Sequence, residues 1–388
     1  MKARPYRHVL VALSWYYPAL HRGIARYARD HRWHLTADLD EPVPQHWRGD
    51  GVLTLLGSRR KLWESLQAFR VPIVDLTESR PEIPLPRVTV DNTAVGRLAA
   101  RHFLDRGYRH FSMVHRWEGG VSRKRRAAFS DPIQKAGCTC EILSWERDYG
   151  ESAANRTFRH RTLMPWLAKL PKPLAVFASR DDEAAEVLEA CLAAGIPVPD
   201  QVAVLGVDNT DTICDCLCVP LSSVDSNLEQ VGYEGAALLD RLMSRRAAAA
   251  KHIEVAPAGI VERRSTDAYA VEHPRVRQAL QFIQGNCHLP IGVPDIARAV
   301  GLSRSGLEKV FRDAFVRSPG QQLRRIRLER AKKMLAESDA AIAAVGAATG
   351  FQSSHHFCRA FREQWGMSPG QYRRQLRIAA TPLARASR

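Results

Sequence analysis

The chain has 388 residues, 45% of them apolar, and a formal net charge of +16. That length allows two or three domains with real cores, and the apolar content excludes a disordered chain. From residue 273 onward there are 20 Lys/Arg against 7 Asp/Glu, which leaves the first 272 residues close to neutral at +3; the basicity belongs to the C-terminal part, as in a nucleic-acid binder.

The first 20 residues place cations ahead of VLVAL. That run is too short for a signal peptide, and Ser14-Trp15-Tyr16-Tyr17-Pro18 interrupts it, so a buried first strand and a cytoplasmic protein are expected. No run is long enough to cross a membrane. Strands are predicted at 8–13, 51–56, 71–76, 87–90, 110–114, 174–179 and 202–207. Helices are predicted at 19–31, 93–107, 181–195 and 228–243, with 255–260 closing this part of the chain. Strands apolar on both faces that alternate with helices imply parallel sheets covered on both sides. Two such sheets in about 260 residues fit a two-lobed, hinged receptor.

Open parallel sheets bind ligands beyond the carboxyl ends of their strands. The residues at those ends are Trp15, Tyr16, Tyr17, Asp91, Asn92, Trp117, Arg180, Asp181, Asp208 and Asn209. Aromatics for ring faces and Asp or Arg for hydroxyl pairs suit a sugar. Plainer readings stand beside this one. Asp91, Asp181 and Asp208 could cap helices, and Tyr16 and Tyr17 could pack a core.

The C-terminal part holds two amphipathic helix pairs, 293–315 and 341–365. Gly301 and Gly350 sit at their turns, where positive φ lets one helix end and the next swing away. The second helix of each pair would bury Leu307, Val310, Phe311 and Phe315, or Phe357, Phe361 and Trp365. The outward sets are Arg304, Ser305, Glu308, Lys309 and Arg312, and Ser354, His355, Cys358, Arg359 and Arg362. They mix cations with short hydrogen-bonding groups, as phosphate and base-edge contacts require. A connecting helix over 322–337 follows, with Asp339 as a cap for the next helix. Two reading helices on one DNA face need a separation of about one turn, roughly 34 Å.

These last 110 residues resemble the AraC/XylS family of transcription regulators. The resemblance rests on Ile296-Ala297, Gly301-Leu302-Ser303, Leu307, Phe311, 326–331 (IRLERA), Gly350-Phe351, Phe357, Phe361 and the closing Ser368-Pro369 with Tyr372-Arg373. It implies a double helix-turn-helix domain that binds double-stranded DNA. Residues 7–262 resemble the ligand-binding core of the LacI/GalR regulators through 22–33, 90–114, 122–129, 179–209 and 220–239. That resemblance implies ligand contacts from Arg125, Asp181, Asp208 and Asp91. Arg125 sits in a run of cations, so a solvated face is the plainer reading there. LacI relatives carry their DNA-binding unit at the N-terminus; this chain carries it at the other end. The combination resembles the bacterial xylose-operon regulators. It implies an activator with D-xylose as effector, acting as a homodimer with RNA polymerase as a further partner.

The expected organisation is a two-lobed α/β periplasmic-binding-protein-like sensor at 1–264 and a linker at 265–273. An all-α DNA-binding domain at 274–377 and a disordered tail at 378–388 complete it. The expected site is Tyr16, Asp91, Arg125, Asp181 and Asp208 for sugar, and Arg304, Ser305, Glu308, Lys309, Ser354, His355, Cys358 and Arg359 for DNA. No cofactor or metal is expected. The alternation of Cys214, Cys216 and Cys218 would put three thiols on one face of an extended segment, which leaves a redox- or metal-sensing regulator as the alternative. A sugar-acting enzyme with Asp181 and Asp208 as its carboxylate pair is the remaining one.

Overall fold

The computed structural model describes residues 6–37, 43–44, 47–57, 60–244, 252–271, 273–315 and 317–380. It divides into two compact units, Met1–Ala270 and Val271–Arg388.

The first unit contains two six-stranded sheets. The strands are β1 (Arg7–Leu13), β2 (Trp33–Ala37), β3 (Gly51–Leu55), β4 (Ile73–Asp75), β5 (Arg87–Val90), β6 (His110–His115), β7 (Cys140–Ser144), β8 (Leu174–Ala178), β9 (Val202–Val207), β10 (Ser222–Asp225), β11 (His252–Val255) and β12 (Gly259–Val261). One sheet has the order β11-β5-β4-β3-β1-β2 and the other β12-β10-β9-β8-β6-β7. Pairing is parallel throughout except between β10 and β12. Their fully apolar strands are the reason: all five residues of β8 and all six of β9 are buried, so both faces of the second sheet need a helical cover.

The chain crosses between the sheets three times: after β5, after β10, and between β11 and β12. The 255–260 stretch is therefore the third crossing. At the crossings the backbones bond to each other, Asp91 N to Val255 O at 2.8 Å and Ala258 N to Asp225 O at 2.9 Å. The Pro18–Asp30 and Leu228–Met243 helices cover the first sheet. They approach so closely that a Cβ on Gly232 would lie 2.1 Å from Leu20 O. In the second lobe Phe103, Phe111, Phe129 and Phe177 form a buried ring cluster. Each such side chain contributes roughly 1.5–3 kcal/mol of transfer free energy.

The second unit is helical: Pro274–Asn286, Val293–Ala299, Arg304–Ala314, Pro319–Glu337, Ile342–Ala348, Ser354–Trp365 and Pro369–Ala380. Three expectations change here. Ser265 and Thr266, placed in the linker on polarity, are wholly buried. Ser265 Oγ donates to Val204 O at 2.6 Å, and Thr266 Oγ1 bonds Ser222 Oγ at 2.8 Å, so this stretch finishes the sensor. Asp339 does not cap the Ile342–Ala348 helix; Ala341 occupies that position and makes no side-chain cap bond. Residues 378–380 end the last helix, and the rest of the expected tail, 381–388, lies outside the described residues. No helix among the described residues is long and apolar enough to cross a membrane.

Candidate functional site

A cleft of about 260 Å3 opens at the carboxyl ends of β1, β8 and β9, with Trp15, Tyr16 and Tyr17 on one side and Arg180, Asp181, Asp182 and Asp208 on the other. It is smaller than the roughly 300–1,000 Å3 of drug-sized pockets, which suits a single small polar ring. Pro18 at the first turn presets the following helix and fixes where the three aromatics emerge.

Asp181 starts the Asp181–Ala193 helix, but Arg180 is the capping residue and makes no side-chain cap bond. Instead the Asp181 carboxylate is a brace. Its Oδ1 accepts from Ser223 Oγ at 2.6 Å and its Oδ2 from Thr210 N at 2.8 Å. Burial and then the charge of Asp208 push its carboxyl up to about 7, against the bonds from Ser223, Thr210 and Cys214.

Asp208 and Asn209 both have positive φ, +99° and +49°, in a conformation that non-glycine residues rarely adopt. Each such residue costs of order 1–3 kcal/mol and persists only when its surroundings hold it. Here Asp208 N bonds Val224 O at 2.9 Å, Asn209 N bonds Ser223 Oγ at 3.0 Å, and Asp208 Oδ1 accepts from Ser226 Oγ at 2.8 Å.

Arg125 does not lie on a solvated face. It is 4% exposed and reaches Asp208 Oδ1 at 3.9 Å. The Arg180 guanidinium covers the Trp15 ring at 3.9 Å, a cation–π contact between the two lobes. Burial works against the Arg180 charge, but Tyr17, Asp182, Glu183 and Asp208 outweigh it and raise its pKa. Burial, reinforced by Asp208, also raises the pKa of Tyr17, so its hydroxyl stays a donor. Tyr16 is 41% exposed and meets His21 edge-on at 5.6 Å; it does not pack a core.

Asp91 is the correction in this set. Its Oδ1 accepts from Ala94 N at 2.9 Å and caps the Asn92–Leu104 helix, and it does not line the cleft. A short carboxylate one residue ahead of a helix satisfies an otherwise orphaned N–H, which is the stronger local demand. Trp117 also lies outside the lining. Thr210, Thr212 and Ile213, which line the cleft just after Asp208 and Asn209, were missed, as were Ser223 and Ser226, which folding brings from β10 and the residue after it to hold Asp181 and Asp208.

The alternation of Cys214, Cys216 and Cys218 does not make one face. Residues 214–218 are not extended: Cys214 ends the Asp211–Cys214 helix and is buried, whereas Cys216 and Cys218 follow in turns and are exposed. The three thiols do not share a face. Burial raises the Cys214 pKa, with Asp181 adding to it, which makes a poor thiolate.

In the second unit Gly301 and Gly350 have φ of +66° and +84° at the two turns. Ser303 caps Arg304–Ala314 by accepting from Gly306 N at 3.0 Å. Leu307, Phe311 and Phe315 are buried, while Arg304, Ser305, Lys309 and Arg312 are exposed. Glu308 pairs with Arg304 at 3.0 Å, so Lys309 and Arg312 carry the net charge of this face. On Ser354–Trp365, Phe357 and Phe361 are buried and Ser354, His355, Arg359 and Arg362 exposed. Cys358 is half-buried against the Phe357–Phe361 cluster, at the flank of that face.

The Pro319–Glu337 helix joins the two pairs through Arg327, which donates to Cys287 O, Leu289 O and Ile291 O at 2.8, 2.7 and 2.9 Å. A Cβ on Gly350 would lie 2.3 Å from Cys287 O, so the second turn rests directly on the loop that leads into the first pair.

Residues 100–266 match a family described as a periplasmic binding protein-like domain, and residues 296–375 a helix-turn-helix domain. The chain is 30% identical over 339 residues to the xylose operon regulatory protein of Escherichia coli strain K12, covering 84% of each. It is 27% identical over 335 residues to the protein of the same name from Haemophilus influenzae, again 84% of each. The structure of a xylose-binding transcription activator, 25% identical, covers 96% of this chain and 99% of that one with a TM-score of 0.61. A transcriptional regulator in complex with cellobiose, 21% identical, shares the fold over 68% of this chain with a TM-score of 0.54. These relatives are transcription regulators, not enzymes.

Proposed function

We propose that this chain, which belongs to the family of bacterial xylose operon regulatory proteins, is switched on DNA by D-xylose and activates a sugar-catabolic operon. At the coarser level it is a sugar-responsive, DNA-binding transcription regulator. The finer reading is carried by one observation: the cleft sets Trp15 and Tyr16 of one lobe opposite Asp181, Asp208 and the adjoining Arg125 of the other. An aromatic face takes the carbon face of a sugar ring, and a carboxylate or guanidinium takes neighbouring hydroxyls in pairs. The names of the relatives support xylose among the sugars this chemistry would accept.

A sugar held between the lobes binds their closed arrangement better than the open one. It shifts the population by that difference in affinity and no more. Closure then alters how two copies associate, and each homodimer presents its helix-turn-helix pairs to paired half-sites. The DNA contacts we assign are Arg304, Ser305, Glu308 and Lys309 on the first reading helix, and Ser354, His355, Cys358 and Arg359 on the second. Such a protein works in the cytoplasm, and activation requires RNA polymerase as its partner on the promoter.

Calorimetric titration with D-xylose against L-arabinose, D-ribose and D-glucose tests the effector. Selective heat with xylose, and a shift in operator affinity with that sugar alone, is the expected result. Equal binding of all four would remove xylose as the effector.

A further inference from the structure

A line of polar side chains leaves the cleft through Arg125. On one side Arg125 faces Asp208. On the other its Nε donates to Asn92 Oδ1 at 2.8 Å, and its Nη1 donates to Ser179 O. The amide of Asn92 continues the line, since Nδ2 donates to Glu78 Oε1 at 2.7 Å. The second oxygen of Glu78 accepts from Lys124 Nζ at 2.6 Å, and Lys124 also reaches Glu254 at 3.1 Å. Glu78 follows β4 in the first lobe, Asn92 opens the helix after the first crossing, and Arg125 and Lys124 lie on the Gly120–Lys135 helix of the second lobe. The backbones meet at the same place, where a Cβ on Gly120 would fall 2.2 Å from Glu78 O.

Glu78 is 4% exposed and lies outside the cleft lining. A buried carboxylate is unfavourable unless paired and hydrogen-bonded, and packing alone would be served better by an apolar side chain. Its chemistry sets the orientation of Asn92. An asparagine amide has a donor end and an acceptor end. A carboxylate only accepts, so it takes the donor end and turns the oxygen of Asn92 toward the Arg125 Nε–H. Val90 O accepts from the same Nδ2 at 3.1 Å, so the amide is held at two points, and Glu78 makes the shorter, charge-assisted bond of the two. Without Glu78 the amide keeps only the longer bond, and the acceptor of the Arg125 Nε–H is less firmly held. Glu78 and His252 also lie near Glu254, with donor atoms within 4.8 Å, but Lys124 already supplies the cation there.

We propose that Glu78 is a positioning residue for the sugar response: through Asn92 it aims Arg125 at the cleft, and it does so from the opposite lobe. The assignment rests on the cleft being the effector site. It ties the aim of Arg125 to the relation between the lobes, because Glu78 and Arg125 keep their common partner only while the lobes hold this contact.

Two substitutions of similar volume test it in the full-length protein. Glu78→Gln keeps an acceptor oxygen for Asn92; Glu78→Met fills the space without one. In calorimetric titration E78M should bind D-xylose at least tenfold more weakly than wild type, and E78Q within threefold of it. Lys124→Met, which removes the other partner of Glu78, should also stay within threefold. Sugar-free operator binding should be unchanged in all three. Equal losses in E78M and E78Q, or none in either, would overturn the proposal.

A second measurement does not depend on sugar. Hydrogen exchange of the Arg125 Nε–H, assigned by its loss in Arg125→Lys, should be at least tenfold faster in E78M than in wild type. An unchanged rate overturns the positioning role even where sugar affinity falls. Absence of xylose binding by the wild-type protein, together with faster exchange in E78M, would instead refute the effector assignment and leave the positioning of Arg125 standing.

Discussion

Replacing Asp181 with asparagine should make the sensor more stable at alkaline pH while it weakens sugar binding. The native carboxyl titrates near 7, against 3.8 for an ordinary aspartate. Its folded pKa is raised, so the folded state binds the extra proton. Stability from this group is therefore fully present below about 3.8, falls as pH rises, and is lost above about 7. Between pH 5 and pH 8 that loss comes to about 2.5 kcal/mol at 1.36 kcal/mol per pKa unit. Asparagine does not titrate. Its oxygen can accept from Thr210 N, and its NH2 can donate to Ser223 Oγ, so the brace survives without charge. Scanning calorimetry of wild type and Asp181→Asn from pH 5 to 8.5 should show the melting temperatures of the sensor transition diverging. The variant should gain about 5–10 °C relative to wild type over that range, at 2–4 °C per kcal/mol for a domain of this size. Burial also holds Asp75 and Glu183 near 7, and they titrate in both proteins, so the difference between the two profiles isolates Asp181. A difference that stays constant from pH 5 to pH 8.5 would refute the reasoning, because it would mean that Asp181 is ionised throughout.

Asp208→Ala should abolish the sugar response and leave sugar-free DNA binding intact; a normal response in a reporter assay would reduce Asp208 to a structural residue. Lys309→Ala and Arg359→Ala should weaken operator binding without touching sugar affinity, and each should lower the slope of log affinity against log salt by about 1. Unchanged affinity and slope in both would remove the assigned reading faces. Gly350→Ala puts a Cβ 2.3 Å from Cys287 O at a φ of +84°, and should destabilise the helical unit by at least about 1–3 kcal/mol in urea unfolding, with sugar binding unaffected.

Most inner strands were legible because their signal is local: β8 and β9 are continuous apolar runs. The inner strand β10 was not, because Ser222-Ser223-Val224-Asp225 carries no apolar run and is buried only by its partners β9 and β12. The edge strands β2, β7, β11 and β12 were not, since each is short and half-exposed and forms only because a neighbour offers a partner. The helix-turn-helix pairs were legible from two glycines and the helical spacing of aromatics. Asp181 and Asp208 line the cleft and Arg125 adjoins it, 3.9 Å from Asp208, but Asp91 lies elsewhere, because the sequence cannot say whether an aspartate before a helix faces a ligand or an N–H. Glu78 and Ser223 gave no signal at all. Their importance comes from partners 14 and 42 positions away. The cysteine alternation misled for the opposite reason: spacing of two means one face only in an extended chain, and residues 211–214 are coiled.

Arg327 and Gly350 make the two helix-turn-helix pairs a ruler. One guanidinium holds three carbonyls of the loop before the first pair, and the turn of the second pair sits on one of them. Neither pair can pivot without breaking that contact, so the distance between the two reading helices is built into the protein and not chosen by the DNA. An operator that inserts a single base pair between its two contact blocks moves one block by about 3.4 Å and turns it by about a tenth of a helical turn. A flexible tether would absorb such a change; this unit would lose one of its two grips. On the proposed reading faces, the expected result is that operators keep one spacing, and that a one-base-pair insertion between the contact blocks weakens binding as much as the loss of a base contact does.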